Sequence, residues 1–225
     1  MILPVIPARG GSKGIPRKNL AIVGDKPLIA WSIEMALQVF GVAWVSTEDS
    51  EIKTVSLSCG AKVIDRPFEF ATDNSQDIDW VRHAFGALAA INLPSRFPDM
   101  LAILRPTTPL RLADHVKAAL EELQNHPEAS GLRSAQLVPE SPYKWFEKEG
   151  LYWKTNPNAD LPRQQLPQVY KPNGYIDLVR YTTIQEGKLF GDKILAFETE
   201  AVIEIDSQNE LDLINLYSFW DLNPY

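Results

Sequence analysis

The sequence predicts an α/β protein, a mostly parallel sheet covered by helices, and three observations carry that prediction. Short β-branched and apolar runs alternate with longer stretches of helical period. The runs stop at glycine or proline. The alternation repeats as far as Gln124, as strand–helix–strand units do when they build a parallel sheet.

Taken in order, ILPVIPA at the start of the chain reads as a buried strand ended by Gly10 and Gly11. KPLIAWSIEMALQ (26–38) sets Leu28, Ile29, Ile33 and Leu37 near helical spacing. VAWVST (42–47) is strand-like, SEIKTVSLSCG (50–60) is helical and stops at Gly60, and AKVIDRP (61–67) is a strand closed by Pro67. A helix over 76–91, a strand over 100–106 and a helix over 114–124, with Asp114 at its N-terminal end, continue the pattern. After about residue 138 the period is lost. PESPYKWFEKEGLYWKTNPNADLPRQQLPQ reads as an irregular insertion, and loops of that length without structure of their own are usually functional. Strands over 174–184, 193–200 and 201–206 and a helix over 210–220 close the chain.

The length suits one α/β domain, residues 1–225, with the insertion at about 139–170 inside it. A net charge of −7 argues against a broad nucleic-acid surface, so any anion site must be local. Cys59 is the single cysteine, which excludes an intrachain disulfide and a thiolate zinc site. With no basic leader and no apolar run of membrane-spanning length, the expectation is a cytoplasmic protein that binds neither membrane nor nucleic acid. The histidines His83, His115 and His126 are scattered and read as structural or exposed.

Two stretches carry chemistry. IPARGGSKGIPRKN (6–19) threads Arg9, Lys13, Arg17 and Lys18 through three glycines directly after a buried strand. Its spacing is neither a Walker A loop nor the dinucleotide fingerprint. The ingredients are still those of a phosphate cradle: backbone N–H groups brought close by glycine, and positive charge. A solvated turn with a chance basic cluster is the competing reading. In IEIDSQNEL, a strand over 201–206 would put Glu204 and Asp206 on one face, which suits a hard cation such as Mg2+. Alternatively the strand edge is merely solvated and Asp206 introduces the next helix. The cationic loop tips the choice towards metal, since Mg2+ travels with phosphates.

IPARGGSKGIPRKN, VSTEDSEI, DRPFEFATD, LRPTTPLR, PRQQLPQVYKPNGYI and IEIDSQNELDL occur in the order found in the acylneuraminate cytidylyltransferases, or CMP-sialic acid synthetases, which the chain resembles over nearly its whole length. The resemblance implies a Rossmann-like three-layer α/β/α nucleotidyltransferase fold with a dimerisation insertion. It implies the reaction of CTP with an acidic 2-keto-3-deoxy sugar to give a CMP-sugar and pyrophosphate, with Mg2+, in a homodimer. By the same resemblance Arg9, Ser12 and Lys13 line the phosphates of the nucleotide, and Gly10, Gly11 and Gly14 keep the backbone close to it. Lys18 meets charge developing on the α-phosphate, so that Lys18, Arg9 and Lys13 are the catalytic set. Asn19 and Arg66 contact ribose and cytosine, with Asp77 nearby at a position where some relatives carry Ser. Lys144, Arg163, Lys171 and Asn173 fall near the acidic sugar, the insertion reaching across to the neighbour's site. Glu204 and Asp206 match a metal pair usually written Asp-x-Asp; the longer Glu204 would act through water and Asp206 directly.

Two departures bear on the sugar. Arg105 stands where Gln is common and Asp177 where Tyr is common. They would either pair with each other or face a differently substituted sugar, and the second is the favoured reading. For Arg17, a solvated side chain is as good a reading as a ligand contact. A same-fold nucleotidyltransferase with another acceptor or nucleotide, and a non-catalytic binding homologue, remain the competing functions.

Overall fold

The computed structural model describes residues 1–92 and 97–218. A seven-stranded sheet runs in the order β11-β7-β10-β6-β1-β4-β5. Its parallel half is built from β1 (Ile2–Pro7), β4 (Trp44–Thr47), β5 (Lys62–Asp65) and β6 (Met100–Ile103), with β1 central between β4 and β6. Strand β10 (Tyr170–Arg180) enters antiparallel between β6 and β7 (Gly131–Leu137), and β11 (Ile194–Thr199) pairs parallel to β7 at the edge. Two-residue strands β2 (Ile22–Val23) and β3 (Lys26–Pro27) form a small separate pair.

Side-chain alternation along the strands makes two cores, one on each face. Ile6, Val45, Ala102 and Leu178 pack with α1 (Leu28–Phe40), α2 (Ser50–Ser58) and α4 (Ala113–Asn125). Leu3, Val5, Leu101, Ile103 and Val179 pack with α3 (Asp77–Asn92) and α5 (Tyr181–Gln185). Each such fully buried Ile or Leu contributes roughly 1.5–3 kcal/mol. The result is a three-layer α/β/α arrangement. A third, smaller cluster joins Ile15 of the cationic loop, Val23 of β2, Leu28, Ile205, and Leu211 and Ile214 of α6 (Gln208–Ser218). It ties the first twenty-odd residues to the C-terminal end of the described chain.

Local chemistry accounts for the element boundaries. Pro27 takes the N-cap position of α1, so the helix starts two residues later than its period suggests, and Gly41 at φ 70° accepts the left-handed C-terminal turn. Asp49 caps α2, accepting from the N–H groups of Glu51 and Ile52. Three readings need correction. The strand expected over 174–184 begins earlier, at Tyr170, breaks register between Pro172 and Asp177, and gives way to α5 after Arg180. Strand β7 was not anticipated, because GLRSAQL mixes polar and apolar residues without clean alternation. Segment 201–206 is not a strand: β11 stops at Thr199, and the chain leaves the sheet edge, the N–H of Ile205 donating to the Thr107 carbonyl at 2.7 Å. The last two residues of the helix expected over 210–220 lie outside the described residues.

The stretch read as an irregular insertion has structure of its own. Antiparallel strands β8 (Phe146–Glu149) and β9 (Tyr152–Thr155) form a hairpin, flanked by 3-10 turns at Pro142–Lys144 and Arg163–Gln165. Trp145, Phe146, Leu151, Tyr152 and Trp153 are all exposed on it, Leu151 by 95%. Among the described residues no helix is long and apolar enough to cross a membrane.

Candidate active site

A cleft of about 320 Å3 opens where the parallel strands end, and Arg9, Lys18, Asn19, Arg66, Asp77 and Arg105 line it together with Asp73 and Trp80. Arg9 follows β1, Arg66 follows β5 and Arg105 follows β6, so the carboxyl edge of the sheet delivers all three, as expected of an open α/β sheet.

The four cations of the opening loop each meet a carboxylate. Arg9 and Lys13 share Asp73, at 3.0 Å each, and Arg9 also donates to the Thr72 carbonyl. The hydrogen bond from Lys13, with the charges of Lys13 and Arg9, holds the Asp73 carboxyl below its ordinary pKa. Arg17 grips Asp49 and Glu51. Lys18 reaches Asp206 at 2.8 Å. Asn19 is buried and closes the loop by donating to the Arg9 carbonyl. The Gly10 N–H donates to Glu48 at 2.7 Å. Gly10 and Gly14 are required by protein neighbours: a Cβ at Gly10 would lie 2.4 Å from Asp49 Oδ2, and one at Gly14 2.0 Å from the Asp206 carbonyl oxygen. A Cβ at Gly11 would meet nothing within 4 Å. Ser12 is half-buried on the same loop.

Arg66 is buried, with its guanidinium donating to the Ser46 hydroxyl and carbonyl and lying 5.2 Å from the Trp80 ring centre. Burial lowers its pKa to about 10, still far above neutrality. Behind Arg105 lies a chain of alternating charge. Arg105 donates to Asp77 at 2.6 Å and sits 3.4 Å from Asp177, which faces Arg133 at 3.4 Å from the directly opposed position on β7. Asp177 is 1% exposed, and burial raises its carboxyl pKa against the pull of Arg105 and Arg133. At Asp77 burial also works upward and is the largest single influence, but the charge of Arg105, hydrogen bonds from Trp80 and Arg105 and the charge of Arg133 together outweigh it, and the pKa falls. Of the two readings of Arg105 and Asp177, pairing is therefore the arrangement found; Arg105 alone of the two lines the cleft.

The remaining residues are spread more widely. Asn173 is buried, its side-chain amide donating to Thr199 at 2.7 Å, and its carbonyl accepts from Thr108. Lys171 pairs with Glu204 at 3.0 Å, beside the Lys18–Asp206 pair, and the hydrogen bond to Glu204 raises the lysine's pKa. Neither Glu204 nor Asp206 lines the cleft itself; Asp206 meets it through Lys18, and the segment that carries both is anchored by Ile205, buried in the third cluster, not by a shared strand face. Glu210 accepts from the N–H groups of Asp206 and Ser207, a capping arrangement that leaves the Asp206 carboxylate to Lys18. Lys144 and Arg163 lie on the hairpin region, bonded to the carbonyls of Ala159 and Pro139, and do not line this cleft.

Three contributors were not singled out from sequence. Asp73 sits in the DRPFEFATD stretch, where a carboxylate near a cationic loop was the available signal. Arg133 lies in the unanticipated strand. Arg111 is buried and donates to the carbonyls of Arg105, Gly174 and Tyr175, locking the loop after β6 onto β10; burial lowers its pKa to about 9.

A family model described as cytidylyltransferase matches residues 3–182. The N-acylneuraminate cytidylyltransferase A of Danio rerio is 31% identical over 220 residues, covering 94% of this chain and 49% of the relative. The N-acylneuraminate cytidylyltransferase of Escherichia coli is 30% identical over 226 residues, covering 94% and 51%. The chain thus spans about half the length of the curated relatives it matches. Among solved structures, a CMP:2-keto-3-deoxy-manno-octonic acid synthetase complexed with CTP superposes with a TM-score of 0.73 at 20% identity, over 98% of this chain and 99% of that one. That likeness is one of fold.

Proposed function

The chain belongs to the cytidylyltransferase family, and from that premise we propose that it activates an acidic 2-keto-3-deoxy sugar, sialic acid or a related nonulosonic acid, with CTP. The sugar's anomeric hydroxyl oxygen attacks the α-phosphorus of CTP. The bond to the bridging oxygen breaks, pyrophosphate leaves, the hydroxyl proton is released and the CMP-sugar remains. The observation that carries this reading is the convergence of Arg9, Lys18, Arg66 and Arg105 on one cleft at the carboxyl edge of the sheet. Catalysis of this kind rests on positioning and on fixed charge aimed at the transferring phosphoryl group. Arg9 and Lys13 exchange Asp73, itself 46% exposed, for the phosphate chain. Lys18 meets the charge that grows as the bond breaks. Arg66, stacked over Trp80, and Asn19 form the nucleoside side, and Arg105 with Asp77 forms the wall next to it.

Mg2+ is part of the proposal. Among the described residues no group of three or more His, Cys, Asp or Glu side chains is arranged to hold a metal. Asp206, 60% exposed, and Glu204 are two carboxylates. Such a set fits an ion that takes one or two carboxylates and fills its shell with water and substrate phosphates. Asp206 is the direct ligand in this reading and Glu204, held by Lys171, acts through water. When bound, the ion would supply neutralisation of phosphate charge. The exposed aromatic hairpin supports a homodimer in which Lys144 and Arg163 serve the neighbour's site, since aromatics are enriched at interfaces. The setting proposed is cytoplasmic.

The test is pyrophosphate release with CTP and Mg2+ against N-acetylneuraminic, legionaminic and pseudaminic acids, deaminated neuraminic acid and 3-deoxy-manno-octulosonic acid. Turnover with at least one supports the reading, and the winner identifies the sugar. No turnover across that panel with any common nucleotide would replace it by a non-catalytic binding function.

A further inference from the structure

Arg17 is the one cation of the opening loop that neither lines the cleft nor pairs with a residue lining it or with a proposed metal ligand. Its φ of 56° and ψ of 32° put it in the left-handed region, and it is the one non-glycine residue with positive φ among the described residues. A side chain with a Cβ is disfavoured there and stays only where its surroundings over-determine it. Here they do. The guanidinium donates to both carboxylate oxygens of Asp49, at 2.5 and 3.0 Å, and to Glu51 at 2.5 Å. Asp49 is also the N-cap of α2, its Oδ1 accepting from two backbone N–H groups. The clamp is therefore anchored to a helix end, unlike a pair of free surface side chains, which contributes little. Glu48 of the same acidic run holds Gly10 at the other end of the loop.

Lys18 follows immediately. Arg17 is the N-cap of the 3-10 turn Lys18–Leu20, and the Lys18 side chain, 15% exposed, crosses to Asp206. We propose that Arg17 is a positioning residue for Lys18: clamped by Asp49 and Glu51, it holds the left-handed turn that aims the Lys18 ammonium at Asp206 and the phosphates of the nucleotide. The geometric half of this stands on the contacts above; the half concerning phosphates rests on the function proposed for Lys18.

Two readouts separate the halves. The first is lysine acylation of the intact protein followed by mass spectrometry, with Lys13, 80% exposed, as internal reference. Lys18 should react several-fold more slowly than Lys13 in the parent. Arg17→Ala and Glu51→Gln should each raise the Lys18 rate about threefold or more and leave Lys13 unchanged. Glu51→Gln keeps the Asp49 cap, so it carries the test if Arg17→Ala folds poorly. An unaltered Lys18 rate in a folded variant overturns the clamp. The second is a kinetic double-mutant cycle. Arg17→Ala should lower kcat about tenfold with the KM for CTP within twofold, and should have no further effect in a Lys18→Ala background. Equal effects in both backgrounds would show that Arg17 does not act through Lys18. If the parent turns over no substrate, the proposed function fails while the acylation result still decides the clamp.

Discussion

Replacing Gly14 with alanine places a methyl carbon 2.0 Å from the carbonyl oxygen of Asp206, where such contacts are essentially never shorter than 3.0 Å, so a displacement of about 1 Å is required. The obstructing atom is main chain and cannot rotate aside. Its segment is held on one side by Ile205, buried and hydrogen-bonded to Thr107 at 2.7 Å, and on the other by the Glu210 carboxylate on the N–H groups of Asp206 and Ser207. The loop is no freer, because the next residue, Ile15, is buried in the same cluster as Ile205. Overpacking of this kind costs roughly 1–3 kcal/mol. For a protein of this size that is a Tm lower by about 2–12 °C. The displacement also separates Lys18 from Asp206, and misplacement of about 1 Å in a catalytic arrangement lowers turnover by up to roughly 100-fold. The assay is calorimetric Tm together with pyrophosphate release at saturating CTP. Gly11→Ala, whose Cβ meets nothing within 4 Å, is the control and should leave Tm unchanged. A Gly14→Ala protein with the parent Tm and turnover would refute the contact between loop and C-terminal segment.

Asp177→Asn removes the buried anion shared by Arg105 and Arg133; with Arg133 about one-third exposed and partly screened, the expected loss is roughly 2–3 kcal/mol by denaturant titration, and a loss under about 0.5 kcal/mol would count against the network. Asp206→Asn should raise the Mg2+ concentration needed for half-maximal turnover about tenfold or more and Glu204→Gln by much less; the reverse order would exchange their roles. The Asp49 carboxyl is held below its ordinary pKa first by its hydrogen bond from Arg17. The stabilisation this implies is fully present above the unfolded value near 3.9 and is lost as pH falls through the lower folded value. The stability gap between the parent and Arg17→Ala should therefore stay constant from about pH 8 to pH 5 and close below about pH 4, as followed by denaturant melts; a gap that narrows near neutrality would point to another group.

Much of the fold was legible because its determinants are local. The apolar runs of β1, β4 and β6 and the periods of α1 and α4 depend on residues a few positions apart; Pro27 and Gly41 bound α1 by their own backbone preferences, and Asp49 starts α2 with its side-chain cap. Strand β7 escaped because its polar residues are accommodated across the sheet, Arg133 opposite Asp177, and no neighbour in sequence announces that partner. The hairpin β8–β9 escaped because its aromatics are exposed, so no buried face imposes a period.

The candidate site divides in the same way. The cationic loop could be found from composition alone, since four cations among three glycines after a buried strand is a local pattern. What each cation does was decided by residues far along the chain: Asp49 and Glu51 for Arg17, Asp73 for Arg9 and Lys13, and Asp206, 188 positions away, for Lys18. Glu204 and Asp206 were identifiable as paired carboxylates, yet their meeting with Lys171 and Lys18 depends on Ile205 being buried in one cluster with Ile15 and Leu211. Propensity and turn chemistry act over a single helical turn or strand and are written in the sequence, whereas ion pairing and burial act between whichever segments packing brings into contact, and that only the tertiary structure decides.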